Sequence, residues 1–159
     1  MEKPAAAVAS DSEMMLVMTR VFEAPAERVF DAWLDPAQIG KWIGPRTVRP
    51  EVTELQAKKG GRYRITMRGP DGTGPTVGGV YREIARPERL VFTWVWETGH
   101  PMGMAGQETL ITLSFRALGH GKTEMTLRHE LFESRETRES HRHGWEVSFE
   151  KLGEMLAGG

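Results

Sequence analysis

No cysteine occurs among the 159 residues. That absence removes a disulfide framework, a thiolate nucleophile and a zinc-thiolate site together. An excess of either charge is also missing: 21 basic residues face 22 acidic ones, a formal net charge of −1. Nucleic-acid binders normally carry a basic excess, so that class is not expected. The one short basic cluster, RESHRH, is interleaved with Glu133, Glu136 and Glu139 and reads as a solvated helix start. No apolar run is long enough to span a bilayer, so no stable membrane insertion is expected. The first thirteen residues lack the apolar centre of a signal peptide, and a cytoplasmic location is the expectation. Nor is there a Gly-x-Ser-x-Gly elbow, a His-Glu-x-x-His pair, a phosphate loop or a dinucleotide fingerprint. No motif names a reaction, and neither a cofactor nor a metal is expected.

What is present is a change of period along one domain-sized chain. Residues 1–12 are rich in Ala, Pro and Ser and are expected to form a flexible tail. Residues 13–158 are expected to form a single domain. EMMLVMTRVFE reads as a first strand. Pro25, placed at a first helical position, opens AERVFDAWL, whose Val29, Phe30, Trp33 and Leu34 fall at helical spacing. Asp35 then caps a second short helix, with Pro36 at its first position and Gln38 reaching back.

Strands follow. In RYRITMR, Tyr63, Ile65 and Met67 alternate with Arg62, Arg64, Thr66 and Arg68, one face buried and one wet. GPDGTGPTVGG reads as a turn-rich connection and VYREIA as the next strand. In RLVFTWVWE the bulky set Leu90, Phe92, Trp94 and Trp96 shares one face, against Val91, Thr93 and Val95. ETLITLSFR and KTEMTLRHELF pair through Gly119-His120-Gly121; Met125, Leu127, His129 and Leu131 share the inward face of the second. A helix over Ser134–Met155 closes the chain. Hairpin-length connections imply an antiparallel sheet, and the last helix is the element long enough to cover its apolar face.

The stretch SHRHGWEVSFEKL carries the candidate site. At about 100° per residue, Trp145, Phe149, Leu152 and Leu156 form one stripe, which extends back to His141, Arg138 and Ser134. His143 lies about 160° from Trp145, so His141 and His143 cannot chelate one metal while the segment is helical. A polar half-stripe continuing an apolar one either overhangs solvent or lines a cavity holding water or a polar ligand group. In the second case Arg138 pairs with an anionic or carbonyl group and His141 donates or accepts. In the plain structural alternative Arg138 pairs with a glutamate and His141 bonds a backbone carbonyl. For His129 the commoner role of such a residue is a satisfied core histidine.

The motifs RVFEAPAERVFDAWLDPAQIGKWIGP, GGRYRITM, GGVYREIARPERLVFTWVW, KTEMTLRHELF and HGWEVSFEKLGEML, in this order, resemble the bacterial single-domain relatives of the activator of heat-shock-protein-ninety ATPase. That family belongs with START lipid-transfer domains, the birch-pollen allergen and polyketide cyclases. The resemblance covers about residues 14–156. It implies an α+β helix-grip fold: two short helices after the first strand, then an antiparallel sheet of six to seven strands around a long C-terminal helix. It also implies a cavity for a small hydrophobic or amphipathic molecule. The expected ligand-binding residues are Trp33, Tyr63, Phe92, Trp94, Trp96, His129, Arg138, His141 and Trp145. The family has no universal catalytic set, and none is carried over. The alternatives are a chaperone-associated protein-binding module, with an apolar patch near Trp42, Ile43 or the 102–104 loop, and a cyclase- or hydrolase-type enzyme using His129 with His141. A homodimer is left open.

Overall fold

The structure, a computed structural model, describes residues 14–98 and 105–158. The elements are β1 (Leu16–Phe22), α1 (Ala26–Leu34), α2 (Pro36–Trp42), β2 (Arg49–Leu55), β3 (Arg62–Arg68), β4 (Thr76–Ala85), β5 (Arg89–Thr98), β6 (Glu108–Gly119), β7 (Lys122–Glu130) and α3 (Arg135–Gly158). The seven strands form one antiparallel sheet in the order β1-β7-β6-β5-β4-β3-β2, curled around α3 in a helix-grip fold. The expected tail and the 102–104 loop lie outside the described residues.

Local chemistry accounts for the two short helices. Pro25 stands at the N-cap of α1, one residue before the position expected for it, with an extended ψ of 157°. Asp35 caps α2: its carboxylate accepts from the Ala37 amide at 2.9 Å and from the Gln38 side chain at 3.0 Å. Trp42 and Ile43 follow, both buried, with the Trp42 indole donating to the Ala32 carbonyl at 3.1 Å. No apolar patch is therefore exposed at these two residues.

The sheet departs from the sequence reading in three places. First, β4 begins at Thr76, so TVGG belongs to the strand and not to a connection. Its glycines serve close backbone approach: a Cβ on Gly79 would lie 2.0 Å from the Thr93 carbonyl oxygen. Second, Thr66 is buried, its hydroxyl paired with that of Thr76 at 2.8 Å. Third, Leu131 is 58% exposed, because β7 ends at Glu130 and Leu131 adopts φ +75°. The reversal brings Phe132 inward instead.

On β5 the expected face is the inner one. The Trp94 ring packs against Trp145 of α3 at 5.1 Å between centroids, while Phe92 meets Trp33 of α1 at 6.1 Å. The long helix thus covers the Trp94–Trp96 end of the strand, and α1 covers its middle. Ser134 caps α3 by accepting from the Thr137 amide at 3.1 Å.

Candidate functional site

A cavity of about 380 Å³ opens between α3, the α2–β2 loop and the inner face of the sheet. Its volume lies within the usual range for small-molecule sites. The sheet contributes Met67, Trp94 and Trp96, with Pro75 at the entrance to β4. The loop contributes Ile43, Gly44, Pro45 and Val48. From α3 come Ser140, His141, His143, Gly144, Trp145 and Ser148. Among the described residues no Asp, Glu, Lys or Arg lines it.

The space exists because of a stripe on α3 that the sequence reading passed over. Ser140, Gly144 and Ser148 recur every four residues beside the aromatic stripe, so small side chains face the loop. A Cβ on Gly144 would meet nothing within 4 Å. In the sequence the one mark of this stripe is small size at every fourth position.

The loop wall is tied to α3 at several points. The Gly44 amide donates to Ser148 Oγ at 2.9 Å. Lys151 Nζ donates to the carbonyls of Pro45 at 3.3 Å and Ile43 at 3.5 Å. Burial and the nearby Arg46 guanidinium lower its pKa. Arg46 forms a two-pronged pair with Glu154, at 2.7 and 3.2 Å. That bond holds the Glu154 carboxyl below the ordinary carboxylate range.

The nine expected ligand-binding residues divide. Trp94, Trp96, His141 and Trp145 stand on the cavity wall. Trp33, Tyr63 and Phe92 lie deeper, with Trp94, around a void of only about 10 Å³, too small for more than one water. They are packed core, and the Tyr63 hydroxyl is spent on the Thr93 carbonyl at 2.6 Å.

His129 is fully buried behind Trp145, whose indole donates to its Nδ1 at 3.2 Å. That contact leaves the proton on Nε2, which faces Thr109 Oγ1 at 2.8 Å; the threonine hydroxyl donates onward to the Trp94 carbonyl at 2.9 Å. Burial, and then the neighbouring His141, push the His129 pKa well below its ordinary value, so it is neutral.

His141 is held by its two ring nitrogens. The Trp96 indole donates to Nε2 at 2.9 Å, so Nδ1 carries the proton and donates to the Thr137 carbonyl at 2.7 Å. The Arg138 side chain, partly buried, donates from Nε to Glu139 at 2.9 Å. It does not line the cavity; Thr137 is the buried residue one turn before His141. The pairing is that of the plain structural alternative for both residues. His143 is exposed and reaches the rim, while His141 is buried in the same unbroken helix. No group of three or more metal-ligating side chains is assembled among the described residues.

Comparison with known proteins agrees with this architecture. The family model described as "Activator of Hsp90 ATPase homolog 1-like protein" matches residues 23–157. A crystal structure of a protein from Chromobacterium violaceum is similar at 27% identity and a TM-score of 0.81, over 90% of this chain and 96% of that one. A solution structure of a protein from Arthrobacter aurescens is similar at 26% identity and a TM-score of 0.80, over 93% and 88%. The AHSA1 protein from Silicibacter pomeroyi is similar at 26% identity and a TM-score of 0.74, over 90% and 97%. No curated protein matches.

Proposed function

The chain belongs to the family of activator of Hsp90 ATPase homolog 1-like proteins, and on that premise we propose that it binds a small hydrophobic or amphipathic molecule between sheet and C-terminal helix. The observation that carries the reading is the cavity itself: about 380 Å³, walled by Trp94, Trp96, Trp145, Met67 and Val48. Burying apolar ligand surface there supplies roughly 25 cal/mol per Å² before the costs of association are subtracted.

Two other readings have less support. The expected docking patch at Trp42 and Ile43 is buried, so it offers a chaperone no surface. An acid–base pair of His129 and His141 has the rings adjacent, 5.2 Å between centroids. All four ring nitrogens, however, are engaged within the protein. Among the described residues no helix is long and apolar enough to cross a membrane.

The test uses prodan, a neutral ketone whose emission shifts in apolar surroundings. The parent protein is expected to give a saturable blue shift. Gly144→Phe fills the space in front of a position where a Cβ meets nothing, so it should keep the parent melting temperature and lose the shift. Equal prodan binding by parent and variant would place the dye elsewhere and remove the support.

A further inference from the structure

We infer that the cavity selects an uncharged molecule that presents a hydrogen-bond acceptor, such as a ketone or ester oxygen, to the hydroxyl of Ser148. The inference rests on the binding reading above and narrows its ligand class. The polar groups of the wall differ in how far they are already bonded within the protein.

His141 is spent. Its Nε2 takes the Trp96 indole proton and its Nδ1 proton goes to the Thr137 carbonyl. A ligand can use this ring only by displacing one of those bonds. Ser148 is half spent. It is 2% exposed, and its oxygen accepts the Gly44 amide at 2.9 Å. Its own proton goes to no other described residue, so an O–H donor faces the cavity. The buried Trp94 indole N–H also has no partner among the described residues. The unspent capacity of these two buried wall residues is therefore for donating. A ligand donor could still reach the second lone pair of Ser148, but the hydroxyl proton would then stay unanswered at a buried site, which is the expensive outcome.

Charge is decided by the same census. Arg46 and Lys151 stand behind the loop wall, one against Glu154 and Glu150, the other on the carbonyls of Ile43 and Pro45. Inside the cavity a carboxylate ligand would lose its hydration and meet no Lys or Arg, with His143 standing only at the exposed rim; an ammonium would find no carboxylate among the described lining residues. Burying either without a partner costs several kcal/mol. A neutral carbonyl gives up less hydration and gains the Ser148 bond.

The experiment compares three probes of one shape by titration calorimetry: 2-acetylnaphthalene, 2-isopropenylnaphthalene and 2-naphthoate. The ketone should bind about 3- to 10-fold more tightly than the hydrocarbon, the usual worth of one neutral hydrogen bond. The carboxylate should bind most weakly. In Ser148→Ala the ketone should fall to the affinity of the hydrocarbon, which itself stays unchanged; Ser148→Thr should keep the preference. Equal binding of ketone and hydrocarbon by the parent, tightest binding of naphthoate, or a ketone preference that survives Ser148→Ala would overturn the inference while leaving the cavity reading intact. If none of the three probes binds the parent, both fail together. Should Ser148→Ala not fold, the ranking of the probes on the parent decides alone.

Discussion

His129 shows what a buried titratable residue does to stability when it is neutral and fully bonded. In the folded protein its pKa is pushed well below 6.5 by burial and by His141. In the unfolded chain the imidazole takes a proton as pH falls through about 6.5. Below that point the unfolded state binds the extra proton, so stability falls with falling pH, by up to about 1.4 kcal/mol per unit for one group. Above about pH 7 the contribution is constant. Urea unfolding at pH 7.5, 6 and 5 should show the decline starting before carboxylates titrate, and His129→Gln should flatten that segment. An unchanged slope in the variant would assign the acid sensitivity to other groups. His129 and His141 were both legible as inward residues, because each continues an apolar stripe. Arg138 was not. Positions 137 and 138 both flank the direction of His141 on a helix, and the sequence period does not choose between them. Thr137 takes the buried place, closing its hydrogen bond within the helix to the Ser134 carbonyl at 2.9 Å, while Arg138, its side chain 19% exposed, lies beside it and donates to Glu139.

Among the elements, β4 was the one misjudged at its start. Two adjacent glycines are the ordinary mark of a turn, yet here Gly79 brings β4 against the Thr93 carbonyl of β5 and Gly78 brings it against the Tyr63 carbonyl of β3, ahead of the register shift between Tyr81 and Glu83. The Thr93 hydroxyl accepts the Val80 amide at 2.8 Å beside that approach. Gly79→Ala must move the Thr93 carbonyl and is expected to cost about 3 kcal/mol, read as a lower urea midpoint at unchanged m-value. A midpoint equal to that of the parent would mean that the strands separate there without penalty. Helix α3 was legible in extent to within a few residues and in its aromatic stripe. Its cavity-facing stripe was harder to see, because Ser and Gly carry no hydrophobic signal. What marks them is size at every fourth position, which gains meaning only once the partner loop from Ile43 to Val48 is placed opposite.

At the scale of the whole molecule, element order and face alternation were enough to reach one antiparallel sheet closed by a terminal helix. The depth of each inward side chain was not. Trp33, Tyr63 and Phe92 share the inner side with Trp94 and Trp96, and the periodicity of a strand or helix reports direction only. Whether an inward aromatic meets other side chains or open space depends on the curl of the sheet and on which loop crosses its mouth. Here α1 fills the middle of the concave face, so the space is left toward the Gly44–Val48 side.

All five tryptophans of the chain, Trp33, Trp42, Trp94, Trp96 and Trp145, are buried in this one interior. Trp94 stands 5.6 Å from Trp96, nearly perpendicular, and 5.1 Å from Trp145; Trp33 lies 4.6 Å from Trp42 and 5.7 Å from Trp145. Indoles held at such separations and fixed tilts share their electronic transitions, so the folded protein should show an exciton couplet in its circular dichroism. The couplet belongs to the arrangement and not to any single ring, so Trp96→Phe should diminish it by more than one fifth. Absence of a couplet in the parent, or a couplet unchanged in Trp96→Phe, would overturn this assignment. Because three of these chromophores wall the cavity, their chiral signal is an intrinsic gauge of whether anything has entered it.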